Sequence, residues 1–294
     1  MDSLVSVVIA TRNRAEQLRG CLQALRRSPS PPGWRVEVVV VDNGSTDGTA
    51  AVVASERDAG DGPSVRYVME PRRGKAFAVN AGTAVAGGAL VAFLDDDVAP
   101  EATWLRHVVE AFTRDPGLGL LAGRVVGVEG NRVAATHPSV ETPLDPDGSL
   151  EGLVLGCNLA VRREVIALVR GRDTRLGPGR GLAYEDIDFV YRVLRRGVRG
   201  RFSPLPVVTH HLGDRDRSVE YLRGRGAYYL KFIVRGDRTI ARQAWWEVAG
   251  LWLEHRRGLV RPSGTPSTRA RHLATGALRM AGRLVASAIS LGHR

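Results

Sequence analysis

Ala89-Leu90-Val91-Ala92-Phe93-Leu94-Asp95-Asp96-Asp97 is an apolar run that ends on three consecutive carboxylates. A short run with Val and Phe reads as a buried strand. Three adjacent carboxylates repel one another unless a cation or a set of donors neutralises them. Hard divalent cations such as Mg²⁺ and Mn²⁺ take oxygen ligands, and they often bind one or two carboxylates together with a substrate diphosphate. The stretch therefore points to a metal at the carboxyl end of a strand, facing a phosphorylated ligand. A solvated acidic turn is the plain alternative.

Upstream of this strand, Val5–Ala10, Val36–Val41 and Val65–Met69 are further apolar, strand-like runs. Between them, Ala15–Arg27, Thr46–Ala54 and Gly74–Ala86 have helical character, with Thr46 or Asp47 as N-cap of the second. Leu18, Cys21, Leu22 and Leu25 line one face of the first helix. Strand–helix alternation predicts an α/β fold with a mostly parallel sheet. It sets Thr11, Asp42 and Asp95 at carboxyl ends of strands, the edge where open α/β sheets bind ligands.

Downstream, Trp104–Phe112 is an expected helix and Gly119–Val128 an expected strand. His137–Gly152, rich in Pro, Asp and Gly, is an expected long functional loop. Ile187–Arg196 returns to helical spacing, and Phe202–Thr209 leads as a strand into His210-His211. After Gly213 the character becomes helical, over Val219–Phe232, Thr239–His255 and Leu273–Leu291, the last bordered by Arg279, Arg283 and His293. The expected domains are residues 1–212, α/β, and residues 213–294, a C-terminal helical extension.

The 294 residues carry a net charge of +11, yet only Lys75 and Lys231 are lysines. The arginine bias is compositional, so the charge is discounted and no nucleic-acid partner is expected. Basic residues do thicken after residue 212. Cys21 and Cys157 fit neither a disulfide framework nor a zinc site, and read as buried thiols. No apolar stretch reaches the ~18 residues of a membrane span. Met1-Asp2-Ser3-Leu4-Val5 lacks the charged start and cleavage site of a signal peptide, so a cytoplasmic protein is expected.

Several ordered stretches resemble family 2 glycosyltransferases: Val5–Asn13, Val39–Thr49, Glu70-Pro71 through Gly74-Lys75, Asn80-Ala81-Gly82, Phe93–Asp97, Gly156–Arg163, and Glu185-Asp186-Ile187-Asp188 with Arg192. The resemblance implies the GT-A fold over 1–212, a nucleoside-diphosphate-sugar donor, a hydroxyl-bearing acceptor (glycan, lipid-linked sugar or natural product) and inversion at the anomeric carbon. It implies donor binding by Ala10, Thr11, Arg12, Asp42, Lys75, Asp95 and Asp96, with Asp42 at the base and Asp95 and Asp96 nearer the ribose. Asp97 becomes the first ligand of Mn²⁺ or Mg²⁺ in a DxD-type motif whose register is open by one residue. His210 becomes the second ligand, with His211 as its competitor. Asp186 is implied as general base, with Glu185 beside it. Asn158, Tyr184 and the Trp104 region fall on the acceptor side. Tyr184 stands where many relatives have Gly, which alters the acceptor pocket.

The residue chemistry agrees with these roles. An ionised Asp42 accepts hydrogen bonds, as a nucleobase N–H requires, or caps a turn with Asn43-Gly44. Lys75, Arg72 and Arg73 suit a diphosphate, or form a solvated run. A helix start favours an ionised Asp186. Gly177-Pro178-Gly179-Arg180-Gly181 reads as a lid over the donor or as a surface loop. The loop Ala10–Arg14 has no glycine, against a sugar-phosphate nucleotidyltransferase, and no G-x-G-x-x-G follows the first strand, against a dehydrogenase. The remaining alternative is an inactive relative that binds a nucleotide or a membrane. The C-terminal helices either pack on the catalytic domain or lie peripherally on an anionic membrane at the inner face of the plasma membrane.

Overall fold

The computed structural model describes residues 3–58, 62–127, 138–211, 218–257 and 264–292. Met1, Asp2, Val128, His137, His293 and the expected boundary between 212 and 213 lie outside the described residues. The chain forms two compact units: Met1–Arg172 with Asp186–Asp214, and Asp173–Glu185 with Arg215–Arg294.

In the first unit, β1 (Ser3–Thr11), α1 (Ala15–Arg26), β2 (Trp34–Asp42), α2 (Thr49–Asp58), β3 (Ser64–Met69), α3 (Lys75–Val85) and β4 (Leu90–Asp95) follow the expected alternation. Then come β5 (Val98–Pro100), α4 (Trp104–Arg114), β6 (Leu118–Gly127), β7 (Thr142–Pro143), β8 (Asn158–Arg162), α5 (Arg163–Val169), α6 (Glu185–Leu194) and β9 (Arg199–His210). Among the described residues they build a nine-stranded sheet in the order β3-β2-β1-β4-β8-β6-β9-β5, with β7 paired to β9. β3, β2, β1 and β4 run parallel, and β8 is antiparallel to both β4 and β6.

The central stretches at residues 7–9, 38–41 and 90–94 are wholly apolar because both faces are covered, whereas the edge strand β3 is partly exposed. On one face Val5, Val7, Ile9, Val38 and Leu94 join Leu18, Cys21, Leu22 and Leu25 of α1 in the main core. On the other face α3 comes so close that a Cβ on Gly82 would stand 2.6 Å from Val8 Cγ1 and 2.7 Å from Val41 Cγ2. The register sets Ala10 opposite Asp95 and Thr11 opposite Asp42, which brings three loops to one edge.

The second unit holds α7 (Ser218–Ile233), α8 (Arg238–Arg256) and α9 (Pro266–Gly292). Leu176 and Leu182 are buried with Ala227 and Met280. Gly177 N–H donates to Leu182 O at 2.6 Å, and Arg283 donates to the carbonyls of Arg175 and Arg180. The glycine-rich segment is thus anchored at both ends, and only its tip, Gly179-Arg180, is exposed. α9 starts at Pro266, earlier than the apolar pattern suggests. Thr265 Oγ1 accepts from Thr268 N–H at 3.2 Å, a side-chain cap ahead of a proline that suits the first turn.

Candidate active site

The loop after β1 is clasped to the loop after β2. Asn13 sits at φ 51°, a left-handed conformation that Asn tolerates. Its backbone N–H donates to Ser45 Oγ at 2.9 Å, and its Oδ1 accepts from Thr46 N–H at 2.7 Å. Asp47 accepts from Ala15 N–H at 3.1 Å and from Thr49 N–H at 3.1 Å, so it caps α2 while holding the start of α1. This clasp aims Arg14 at the aspartates. Arg14 Nη1 lies 2.9 Å from Asp96 Oδ1 and 2.6 Å from Asp97 Oδ2.

Each aspartate has a distinct environment. Asp95 pairs with Lys75 Nζ at 2.5 Å. Burial opposes its charge, but Lys75 outweighs that and holds the carboxyl below its usual range. Asp96 accepts from Thr11 Oγ1 at 2.7 Å. Burial dominates there and, with Asp97 adjacent, pushes its pKa up to about 6 despite Arg14. Arg14 in turn is held charged by Asp96 and Asp97, against the cost of its own burial.

Asp97 Oδ1 is buried, has no hydrogen-bond partner among the described residues, and lies 3.5 Å from His210 Nε2. Ligand atoms of Asp95, Asp97 and His210 all fall within 4.8 Å of one another. β5 and β9 bring this about by pairing Val98 with His210. Two carboxylates and an imidazole around an orphaned oxygen suit a divalent cation with oxygen and nitrogen ligands. His211 donates its backbone N–H to Asp97 O at 2.8 Å and is itself exposed.

Asp42 is buried, with Oδ1 accepting from Ser45 N–H at 2.7 Å and Oδ2 from Tyr67 Oη at 2.7 Å. Burial and Asp42 together push the Tyr67 phenol up to about 12. Asp42 does cap the turn, and each oxygen keeps one further lone pair. Ala10 and Arg12 flank Thr11, and both are half-buried. Arg72 turns aside to Glu70, at 2.7 Å.

Asp186 lies in the first turn of α6, with Oδ1 accepting from Ile187 N–H at 2.8 Å and Oδ2 from Gly156 N–H at 2.9 Å. A Cβ on Gly156 would stand 3.0 Å from Asp186 Oδ2, so glycine permits this approach. Gly156 lies two residues before the start of β8, whose Asn158 pairs with Leu94, the residue before Asp95. The Cys157 thiol, raised first by burial, feels the charges of Asp95, Lys75, Asp97 and Asp186 together. Asp188 is fully buried and paired with Arg192 at 2.8 Å, a packing role.

The other expected site residues, Asn158, Trp104, Tyr184 and Glu185, have the following partners. Asn158 Oδ1 accepts from Trp104 Nε1 at 2.9 Å, and its amide donates to Arg124 O and Pro206 O at 2.8 Å each, so both residues brace the sheet. Tyr184 belongs to the second unit, where its ring lies 5.2 Å from Tyr228. Its φ of 113° is strained for any residue with a Cβ. Glu185, the first residue of α6 and the last of its stretch that falls in the second unit, is buried against Gly177. Arg14, Tyr67 and Arg172 escaped the sequence reading. Arg172 is buried, with its guanidinium 5.0 Å from the Phe93 ring centre and 5.5 Å from that of Phe189.

Comparison with known proteins decides the family. The profile described as Glycosyl transferase family 2 matches residues 6–171. The chain belongs to glycosyl transferase family 2. This family 2 chain is 34% identical over 217 residues to the Pre-mycofactocin glycosyltransferase of Mycobacterium tuberculosis (strain CDC 1551 / Oshkosh), covering 70% of this chain and 42% of the relative. It is 31% identical over 173 residues to Glycosyltransferase AglE of Haloferax volcanii, covering 55% of this chain and 53% of that protein. The chain thus spans about half the length of the curated relatives it matches. Among solved structures, Mannosyltransferase PcManGT from Pyrobaculum calidifontis, in complex with GDP-Man and Mn²⁺, superposes with a TM-score of 0.65 at 21% identity, over 99% of this chain and 80% of that one. S. aureus TarS 1-349 in complex with UDP-GlcNAc gives 0.64 at 17% identity, over 76% and 65%. These likenesses establish the expected GT-A fold and its C-terminal helices.

Proposed function

We propose that this protein is a metal-dependent, inverting glycosyltransferase that moves a sugar from a nucleoside-diphosphate donor to an acceptor hydroxyl. The observation that carries the proposal is the convergence of Asp42, Asp95, Asp96 and Asp97 at one sheet edge, with Asp186 tied through Gly156 to the loop beside them. Asp42 offers its remaining lone pairs to the base, and Ala10, Thr11 and Arg12 line the way to it. Lys75 and Arg14 are the cations nearest the aspartates and suit a diphosphate. Asp97 and His210, with Asp95, are the residues that would hold a divalent cation. When bound, such an ion neutralises charge on the departing diphosphate.

Asp186 acts as general base. The acceptor oxygen forms its bond to the anomeric carbon as the bond from that carbon to the β-phosphate oxygen breaks. The hydroxyl proton passes to the Asp186 carboxylate, and the bonding pair leaves with the diphosphate. Backbone donors at Gly156 and Ile187 hold the carboxylate in place for this transfer. Presence of every acidic residue this chemistry needs disfavours an inactive relative. No helix among the described residues is long and apolar enough to cross a membrane. The protein works in the cytoplasm, meeting its acceptor at the inner face of the plasma membrane through the C-terminal helices.

A thermal-shift panel of UDP, GDP, dTDP, CDP and ADP, each with and without Mn²⁺, tests the donor site. A ligand at a hundredfold excess over its Kd stabilises the folded state by about 2.7 kcal/mol. A Mn²⁺-dependent shift with one nucleotide is expected. A well-folded sample that responds to none of them overturns the proposal.

A further inference from the structure

We infer that the outer face of α8, with the apolar groove it forms against α7 and α9, docks on an anionic lipid bilayer. This names the surface and the lipid chemistry of the proposed membrane contact and rests on that reading, independently of the transfer reaction. Ala241, Trp245, Val248 and Trp252 recur at helical spacing on α8 and are all exposed, the two tryptophans by 68% and 53%. Residues at this spacing share one face. That face runs into a groove of about 460 Å³ lined by Leu230, Ile233, Val248, Leu251, Trp252 and Leu273. The groove is wholly within the second unit.

The charges are sorted around it. Both acidic residues of α8 are engaged by cations of the neighbouring helices. Glu247 pairs with Arg225 of α7 at 2.8 Å, and Glu254 with Arg269 of α9 at 2.5 Å. Arg238, Arg242, Arg256 and Arg257 are left exposed along the outer side, with His255. The Arg256 guanidinium lies 4.1 Å from the Trp252 ring centre, so cation and indole occupy one spot. Trp and Arg together on an exposed helical face match the water–lipid boundary, where indole sits at headgroup level and arginine meets acidic headgroups. A second copy of the chain on this face would set arginine against arginine, which argues against self-association there.

The test is flotation of the full chain with vesicles of phosphatidylcholine alone, or with about one-third phosphatidylglycerol. Each basic residue near an anionic surface contributes roughly fivefold to binding. The expectation is binding to the acidic vesicles only, weakened by salt. It should fall on the order of tenfold or more in Trp245→Ala/Trp252→Ala and in Arg242→Gln/Arg256→Gln. Both pairs are exposed, and unchanged melting curves would verify that the fold is kept. Equal binding by both variants and the parent overturns this surface while leaving membrane contact elsewhere on the chain. No binding to either vesicle overturns both readings. A lipid-free dimer in sedimentation velocity, lost in the Trp variant, makes the occupant a second copy and also overturns the inference.

Discussion

Asp186 shows how one side chain is held for chemistry. Each carboxylate oxygen accepts one backbone N–H, from Ile187 and from Gly156, and keeps one lone pair for a proton. Asn has the same shape but only one acceptor oxygen. Its amide would face either Ile187 N–H or Gly156 N–H, donor against donor, at a cost of about 1–3 kcal/mol for the unsatisfied pair. It also has no basic oxygen to take the acceptor proton. Asp186→Asn should therefore melt lower and bind donor nucleotide unchanged. Its turnover should fall by about 10²- to 10⁴-fold, the range of a general base. Single-turnover kinetics beside nucleotide titration separate these effects, and normal turnover would remove Asp186 from the role. At this scale the convergence of Asp42 and Asp95 on one edge was legible because strand–helix alternation sets both at carboxyl ends of parallel strands. Arg14 was quoted in its loop but given no role, because its aim depends on the Asn13 clasp. Tyr67 was illegible for a related reason. It meets Asp42 across the β2–β3 register as a diagonal neighbour on one face, a relation no local pattern encodes.

At the scale of elements, the close seat of α3 on the sheet depends on Gly82. A methyl there would contact Val8 and Val41, both buried in central strands with no room to retreat. Ala is the better helix former by about 1 kcal/mol, but overpacking typically costs about 1–3 kcal/mol. A Cβ distance of 2.6 Å forces a backbone shift, so the steric cost should win. Gly82→Ala should lower the denaturant midpoint with an unchanged slope, and a raised midpoint would mean that α3 can move away freely. The parallel half of the sheet was readable because its strands are long, apolar and separated by helices. β5 has three residues, β7 two and β8 five, too short for a period to emerge. β8 also inserts antiparallel between β4 and β6, a pairing set by tertiary packing rather than sequence proximity. His210 is the last residue of β9 and its Nε2 lies 3.5 Å from Asp97 Oδ1, whereas His211 falls past the strand and is exposed. Residues two apart on a strand share a face, so once β9 is fixed, His210 lies on the side of the buried Val208.

At the scale of the whole molecule, the second unit is organised around a buried charge that a sequence pattern conceals. Asp173, at the start of the glycine-rich segment, pairs with Lys231 of α7 at 2.7 Å and with Arg175 at 2.7 Å. Lys231 is almost fully buried, although lysine is seldom found so deep without a partner. Burial opposes the Asp173 charge, but Arg175 and Lys231 outweigh it and hold the carboxyl well below its ordinary value of 3.8. A group depressed in the folded state stabilises it at pH above the unfolded value, and that contribution fades as pH falls through the folded one. Asp173→Asn removes the charge and leaves Lys231 buried without its carboxylate. Breaking such a pair costs about 3–5 kcal/mol. The variant should therefore melt well below the parent at pH 7. The gap should hold down to about pH 5 and narrow below it, because the unfolded parent then takes up a proton that the folded Asp173 still refuses, which lowers the parent's stability and not the variant's. Calorimetry of both proteins from pH 7 to pH 3 reads this directly. A gap constant across that range would mean that Asp173 stabilises through shape and hydrogen bonding alone.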